Sequence, residues 1–251
     1  NPSAQGVTVT IGNPDIKPRV SNNLDLSLEW RLPGDFDAFA STAVFDKRIQ
    51  DEIFTLSRTD SFTFDGTTYA NALISTPANA AKARIRGVEF NGIVNTLAPI
   101  APWLSGVGFS ANFALLDGSL DVPYSVGSGS TVSQRERKLD NLVGQPDYTA
   151  NATLFYNTGG LELRAAYNRQ GKALRAIVSN IDWQDLYWSP RSQLDFTATY
   201  AVSKQLSLIG QVSNLTHSRI SSVTGPGQNL LKDSYSVPST YWVGLRFTPS
   251  L

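Results

Sequence analysis

Residues 22–32, NNLDLSLEWRL, alternate without a slip: Leu24, Leu26, Leu28, Trp30 and Leu32 on one parity, Asn23, Asp25, Ser27, Glu29 and Arg31 on the other. Successive side chains of a β-strand point to opposite faces, so the run is a strand with one apolar and one polar face. A soluble sheet and a membrane barrel are both written this way and differ in which face meets water. The pattern recurs along the chain and predicts nine strands, near 21–32, 36–49, 83–94, 106–117, 147–157, 161–170, 193–202, 205–215 and 238–247. Each is close to the roughly 9–11 residues that cross a bilayer at a tilt. Two places break the rhythm: Ile85 and Val88 fall on opposite parities, which calls for a bulge near Arg86-Gly87, and Ile209 sits on the polar parity.

The connections decide between the two readings. Short links at 33–35 (Pro33-Gly34-Asp35), 95–105, 157–160 and 203–204 alternate with long polar ones at 50–82, 118–145, 171–192 and 216–236. Loops longer than about 12–15 residues are uncommon in compact soluble domains. Four of them on one end match an outer-membrane barrel, with short periplasmic turns and long extracellular loops. Aromatic residues on the apolar parity form two rows: Trp30, Phe39, Tyr156, Tyr200 and Phe247 toward the short turns, Phe45, Tyr148, Tyr167 and Tyr241 toward the long loops. Such rows are the interfacial girdles of a membrane barrel. The leucines of 24–32 are therefore expected to face lipid, with Asp25, Glu29 and Arg31 toward a watery interior. The reverse would put charge in lipid, at about 2–4 kcal/mol for an Arg near the midplane.

Composition narrows function. Lys+Arg and Asp+Glu both number 21, so no bulk field draws in nucleic acid. There is no cysteine, and His217 is the sole histidine, which is poor material for a metal site or a nucleophile and base. No catalytic residue, metal ligand or cofactor is expected. No apolar run reaches the 18 residues of a spanning helix. The chain has no methionine and begins at Asn1 without a leader, as a piece of a longer chain or a processed product would. Asn151-Ala-Thr153 and Asn214-Leu-Thr216 fit the glycosylation pattern but lie in expected strands. The charged run RERKLD at 135–140 reads as a solvated loop, or as a contact for lipopolysaccharide phosphates.

Several segments are familiar together. NPDIKPRVSNNLDLSLEW at 13–30, AVFDKRIQDEI at 43–53, ARIRGVEFNG at 83–92, ANFALLDG at 111–118, the stretch from Gln145 to Tyr156, RSQLDFTATY at 191–200, SNLT at 213–216 and YWVGLRF at 241–247 resemble the TonB-dependent outer-membrane receptors, in family order over nearly the whole chain. The resemblance implies an all-β, antiparallel transmembrane β-barrel of 22 strands closed by a plug domain. Residues 1–251 would be its C-terminal portion of about nine strands, with plug, TonB box and earlier strands outside it. Nine strands in lipid leave two edges of unpaired backbone groups, each costing several kcal/mol, so the rest of the barrel is an expected partner. The function implied is energised uptake of a scarce nutrient, a carbohydrate, siderophore or similar, across the bacterial outer membrane. The partners implied are the TonB complex acting through the plug, the bilayer and its lipopolysaccharide, and a small ligand. The family usually ends on the aromatic of its last strand, whereas here Thr248, Pro249, Ser250 and Leu251 follow Phe247.

Candidate ligand contacts are Trp183, Tyr187, Trp188 and Arg191 in NIDWQDLYWSPR, since flat rings suit stacking on sugars or aromatic chelators. Girdle or loop packing is the other reading of these aromatics. Arg84, Arg86 and Arg164 are expected to pair with carboxylates such as Glu89, Glu162 or Asp195 rather than to attract anions. A passive porin, an outer-membrane enzyme and a soluble β-rich binding domain are the competing classes.

Overall fold

A computed structural model describes residues 6–32, 34–126, 133–178 and 181–249. One sheet follows the chain almost in order. Its path begins with β2 (Val20–Leu32), β3 (Ala38–Phe64), β4 (Thr67–Val94) and β5 (Val107–Val126). It continues through β7 (Tyr148–Thr158), β8 (Leu161–Gln170), β11 (Arg191–Ala201), β12 (Leu206–Ser213) and β15 (Thr240–Phe247). The short strands β1 (Thr8–Thr10) and β6 (Ser133–Leu139) join it off that path, on β4 and β5. A second antiparallel sheet, in the order β14-β13-β10-β9, comprises β9 (Ala173–Ala176), β10 (Leu186–Trp188), β13 (Arg219–Thr224) and β14 (Leu230–Ser236).

The register explains why the alternation is written as it is. From β5 to β15 the partners Phe109, Leu154, Ala165, Phe196, Val212 and Tyr241 lie directly across from one another, one per strand. The next row is Val107, Tyr156, Leu163, Ala198, Gly210 and Val243. Paired residues share a face, so the apolar parities of six strands merge into one surface. That surface is open: Leu154 is 55 % exposed and Val243 75 %, and Phe113 is exposed too, as is Leu26 of β2. A soluble sandwich would pack these residues inside. No helix among the described residues is long and apolar enough to cross a membrane.

All four long connections carry strands. Residues 50–82 continue β3 and β4, which reach 27 and 28 residues, about 90 Å each at roughly 3.3 Å per residue. Their hairpin turns at Asp65-Gly66, both at positive φ (47° and 72°), the conformation that a two-residue turn of this hand needs. Hydroxyl pairs help to hold the ribbon: Ser57 Oγ lies 2.9 Å from Ser75 Oγ and Thr63 Oγ1 2.9 Å from Thr68 Oγ1. Segment 118–145 extends β5 and supplies β6, with Leu120 opposite Leu139. The run RERKLD thus lies largely in a strand rather than a solvated loop. Segments 171–192 and 216–236 supply the second sheet.

Gly87 lies within β4. A Cβ there would stand 2.5 Å from the Leu115 carbonyl oxygen and 2.8 Å from the Phe45 ring, so the glycine serves a close approach. Within β3 a left-handed residue stands at Asp51, at φ 57°. In the Pro33-Gly34-Asp35 turn, Pro33 lies outside the described residues, and Gly34 follows at φ 107°.

The chain forms two compact units, Asn1–Leu24, Asp46–Arg86 and Asp117–Leu142 in one, Asp25–Phe45, Gly87–Leu116 and Val143–Leu251 in the other. The first buries Ala72, Ile74, Ala81, Ala83, Leu120, Val122 and Leu139, the second Ala38, Ala173, Leu174 and Ile209. Both cores are small and rich in alanine, because the large apolar side chains stand on the open face instead.

Candidate functional site

Register builds the site on the polar face of the second unit. Asn112, Asn151, Asn168 and Gln193 are successive cross-strand partners on β5, β7, β8 and β11, one carboxamide per strand at a spacing of about 4.8 Å. One step along the strands, Thr149, Gln170 and Arg191 make a second row. One step the other way, Ser110, Thr153, Ala166 and Asp195 make a third.

Asn151 Nδ2 donates to Asn112 Oδ1 at 2.6 Å, which orients both amides. Gln193 Nε2 donates to both oxygens of Asp195, at 2.9 and 3.1 Å, and Asp195 Oδ1 accepts the backbone N–H of Asn214 at 2.8 Å. The third row is thereby tied to the turn after β12. Asn168, Gln170 and Arg191 make no side-chain hydrogen bond or ion pair among the described residues.

Two cavities adjoin these rows. One, of about 310 Å³, is lined by Thr149, Asn151, Asn168, Gln170, Arg191 and Gln193, with Arg169 beside them. The other, of about 300 Å³, is lined by Gln170, Trp188, Ser189, Arg191, Ile220 and Ser221. Gln170 and Arg191 belong to both, so the cavities meet at the first residue of β11.

The second sheet positions Trp188. Arg175 of β9 is ion-paired to Asp233 of β14, donates to Ser222 Oγ at 2.8 Å, and lays its guanidinium 4.4 Å from the centre of the Trp188 ring. Ser222 Oγ donates to Asp233 at 3.0 Å. The Arg175 hydrogen bond first, and then that of Ser222, hold the Asp233 carboxyl below its ordinary range. Lys172 Nζ lies 5.2 Å over the Tyr187 ring and donates to Gln228 at 2.7 Å. Of the four residues expected to touch ligand, Trp188 and Arg191 therefore share a cavity. Tyr187, the neighbour of Trp188 in β10, points to the other side of that strand. Trp183, in a single 3-10 turn (Asp182–Gln184), uses its carbonyl to accept from Gly225 N–H and Thr224 Oγ1, at 2.8 and 3.0 Å. Asn180 of the same segment lies outside the described residues.

Arg84 and Arg86 pair with carboxylates as expected, but with other partners than Glu89, Glu162 or Asp195. Arg84 is paired with Asp46, and Arg86 Nε donates to Asp117 at 2.6 Å, both within the first unit. Asp195 is engaged by Gln193 and Asn214, and Arg164 stands opposite Phe155 and Thr197. The amide row was missed from sequence because its members are up to 81 positions apart. Their shared parity was visible, but only pairing puts them in line.

The sequence matches the family described as TonB dependent receptor-like, beta-barrel, over residues 1–215. Among solved structures, a variant of the ferric enterobactin receptor PfeA from Pseudomonas aeruginosa in complex with enterobactin is 22 % identical with a TM-score of 0.60, over 95 % of this chain and 32 % of that one. A second PfeA variant is 20 % identical with a TM-score of 0.58, over 91 % and 31 %. The copper transporter OprC is 17 % identical with a TM-score of 0.57, over 93 % and 32 %. The chain thus spans about a third of the length of these structures, and at such identities the likeness is one of fold. No curated protein sequence matches significantly.

Proposed function

The chain belongs to the family of TonB-dependent receptor β-barrels of the Gram-negative outer membrane, and from that premise we propose that the protein carrying it takes up a scarce nutrient, a carbohydrate, a siderophore or similar, with energy delivered by the TonB complex through a plug domain. Residues 1–251 form the C-terminal wall of the barrel in this reading. The rest of the barrel, the bilayer and its lipopolysaccharide are the partners. The observation that supports it best is the register, which gathers the apolar parity of six strands on one face and leaves the amide rows on the other. A wall with one lipid-compatible face and one hydrated, hydrogen-bonding face suits solute passage or capture. Trp188 and Arg191 are the proposed ligand contacts at the mouth, while Trp183 and Tyr187 brace the second sheet above them.

No covalent step falls to these residues. Ligand would be held by hydrogen bonds and stacking, then released when the plug moves. The reading is tested in a strain lacking the gene and in the same strain complemented, with uptake of a panel of labelled iron chelates and oligosaccharides measured with and without a protonophore. The expected outcome is one cargo whose uptake needs the gene and stops when the protonophore is added. Uptake that continues in its presence would assign a passive porin instead.

A further inference from the structure

We propose that the face around Arg191 binds a hydroxyl-rich ligand that carries a carboxylate, whether a uronate-bearing sugar or a polyhydroxy acid. The inference rests on the uptake reading above and narrows its cargo. Its first support is the amide row. A carboxamide offers two N–H donors and a carbonyl acceptor, so it can meet a hydroxyl in either role. Four amides in line across four strands, with Asn168 and Gln170 still unpartnered, present such groups at regular intervals to one extended ligand.

The second support is electrostatic. Arg84, Arg86 and Arg175 are each neutralised by an aspartate, Asp46, Asp117 and Asp233. Among the described residues Arg191 has no such partner, and it lines both cavities. The described residues that line the cavities include no carboxylate, and Arg169 adds a second cation to one of them. Asp195 in the third row is already engaged by Gln193 and the Asn214 N–H, so a cationic ligand would find no free carboxylate there, and a neutral one would leave the guanidinium unused. The planar fork of an arginine matches a carboxylate with two parallel hydrogen bonds. Trp188 and Ile220 in the adjoining cavity supply apolar surface for the C–H face of a ring.

The test uses the full-length protein purified from outer membranes in detergent and titrated calorimetrically with trigalacturonate, citrate and maltotriose. Trigalacturonate or citrate is expected to bind at least about tenfold more tightly than neutral maltotriose, and the better acid identifies the source as a sugar or a hydroxy acid. Arg191→Gln is expected to lose about tenfold or more for the acid, the size of one charge-assisted hydrogen bond, and to lose clearly less for maltotriose. Asn168→Ala is expected to weaken acid and neutral ligand alike. Arg191→Lys, which keeps the charge without the fork, is expected between wild type and Arg191→Gln, and carries the comparison if the glutamine variant does not fold. Maltotriose binding as tightly as the better acid, acid binding unaffected by Arg191→Gln, or no binding of either acid would overturn the proposal. Protonophore-sensitive uptake of another solute without acid binding sinks this inference alone, whereas acid binding with passive uptake sinks the uptake reading alone.

Discussion

Asn214 shows what one residue can hold. It is only 3 % exposed and sits at φ 59°, in the left-handed region. Its Nδ2 donates to the Val237 carbonyl at 2.8 Å, its Oδ1 accepts the Ser218 N–H at 2.9 Å, and its own carbonyl accepts Ser239 Oγ at 2.8 Å. The glycosylation pattern at Asn214-Leu-Thr216 therefore marks a locked turn, with its amide already engaged. Asn214→Ala strands the part-buried Val237 carbonyl and Ser218 N–H and puts alanine at a left-handed φ, and is expected to cost on the order of 3 kcal/mol, read as a lower urea midpoint in lipid vesicles. Asp233 makes a prediction about pH. Its carboxyl is held below the ordinary value near 3.8, so its contribution is present above that value and is lost as pH falls through the lower folded one. The second sheet should resist proteolysis between residues 173 and 236 at pH 7 and at pH 5, and open at more acid pH. Asp233→Asn should be equally susceptible at all three. None of this was legible in the sequence, which shows Asn214 and Asp233 as ordinary polar residues and does not show that Gly87 seats the Phe45 ring.

At the scale of the strand, legibility follows apolar demand. Where a face must meet lipid, period two is enforced in most strands, and runs such as Leu161, Leu163, Ala165 and Tyr167 announce themselves. Beyond the lipid that demand ends. The outer halves of β3 and β4 are stitched by serine and threonine hydroxyls and by backbone bonds, so they look like polar loop, although the Asp65-Gly66 pair was a hairpin signal in plain view. The site was legible in part for the same reason: Trp188 and Arg191 stand out by residue type, whereas the amide row depends on register. The two faces make opposite predictions for neighbouring positions of β7. Leu154, 55 % exposed on the apolar face, should cost about 2–4 kcal/mol when replaced by Arg. Thr153→Arg, on the polar face opposite Ser110 and Ala166, should cost about 0.5 kcal/mol or less in the same vesicle unfolding assay.

For the molecule as a whole, the length of β3 and β4 sets the expectation. Roughly 9–11 residues cross the bilayer, and these strands have 27 and 28, so most of the hairpin belongs on the side of the Asp65-Gly66 turn. A short epitope inserted between Asp65 and Gly66 should be labelled by antibody on intact cells, with wild-type protein levels retained. Labelling only after the outer membrane is permeabilised would reverse the assigned orientation. A paired ribbon of this kind can gain or lose residues two at a time at its tip while every rung nearer the membrane keeps its partner. Evolution can therefore adjust the reach of this arm, and what it meets outside the cell, without renegotiating the wall from which it grows.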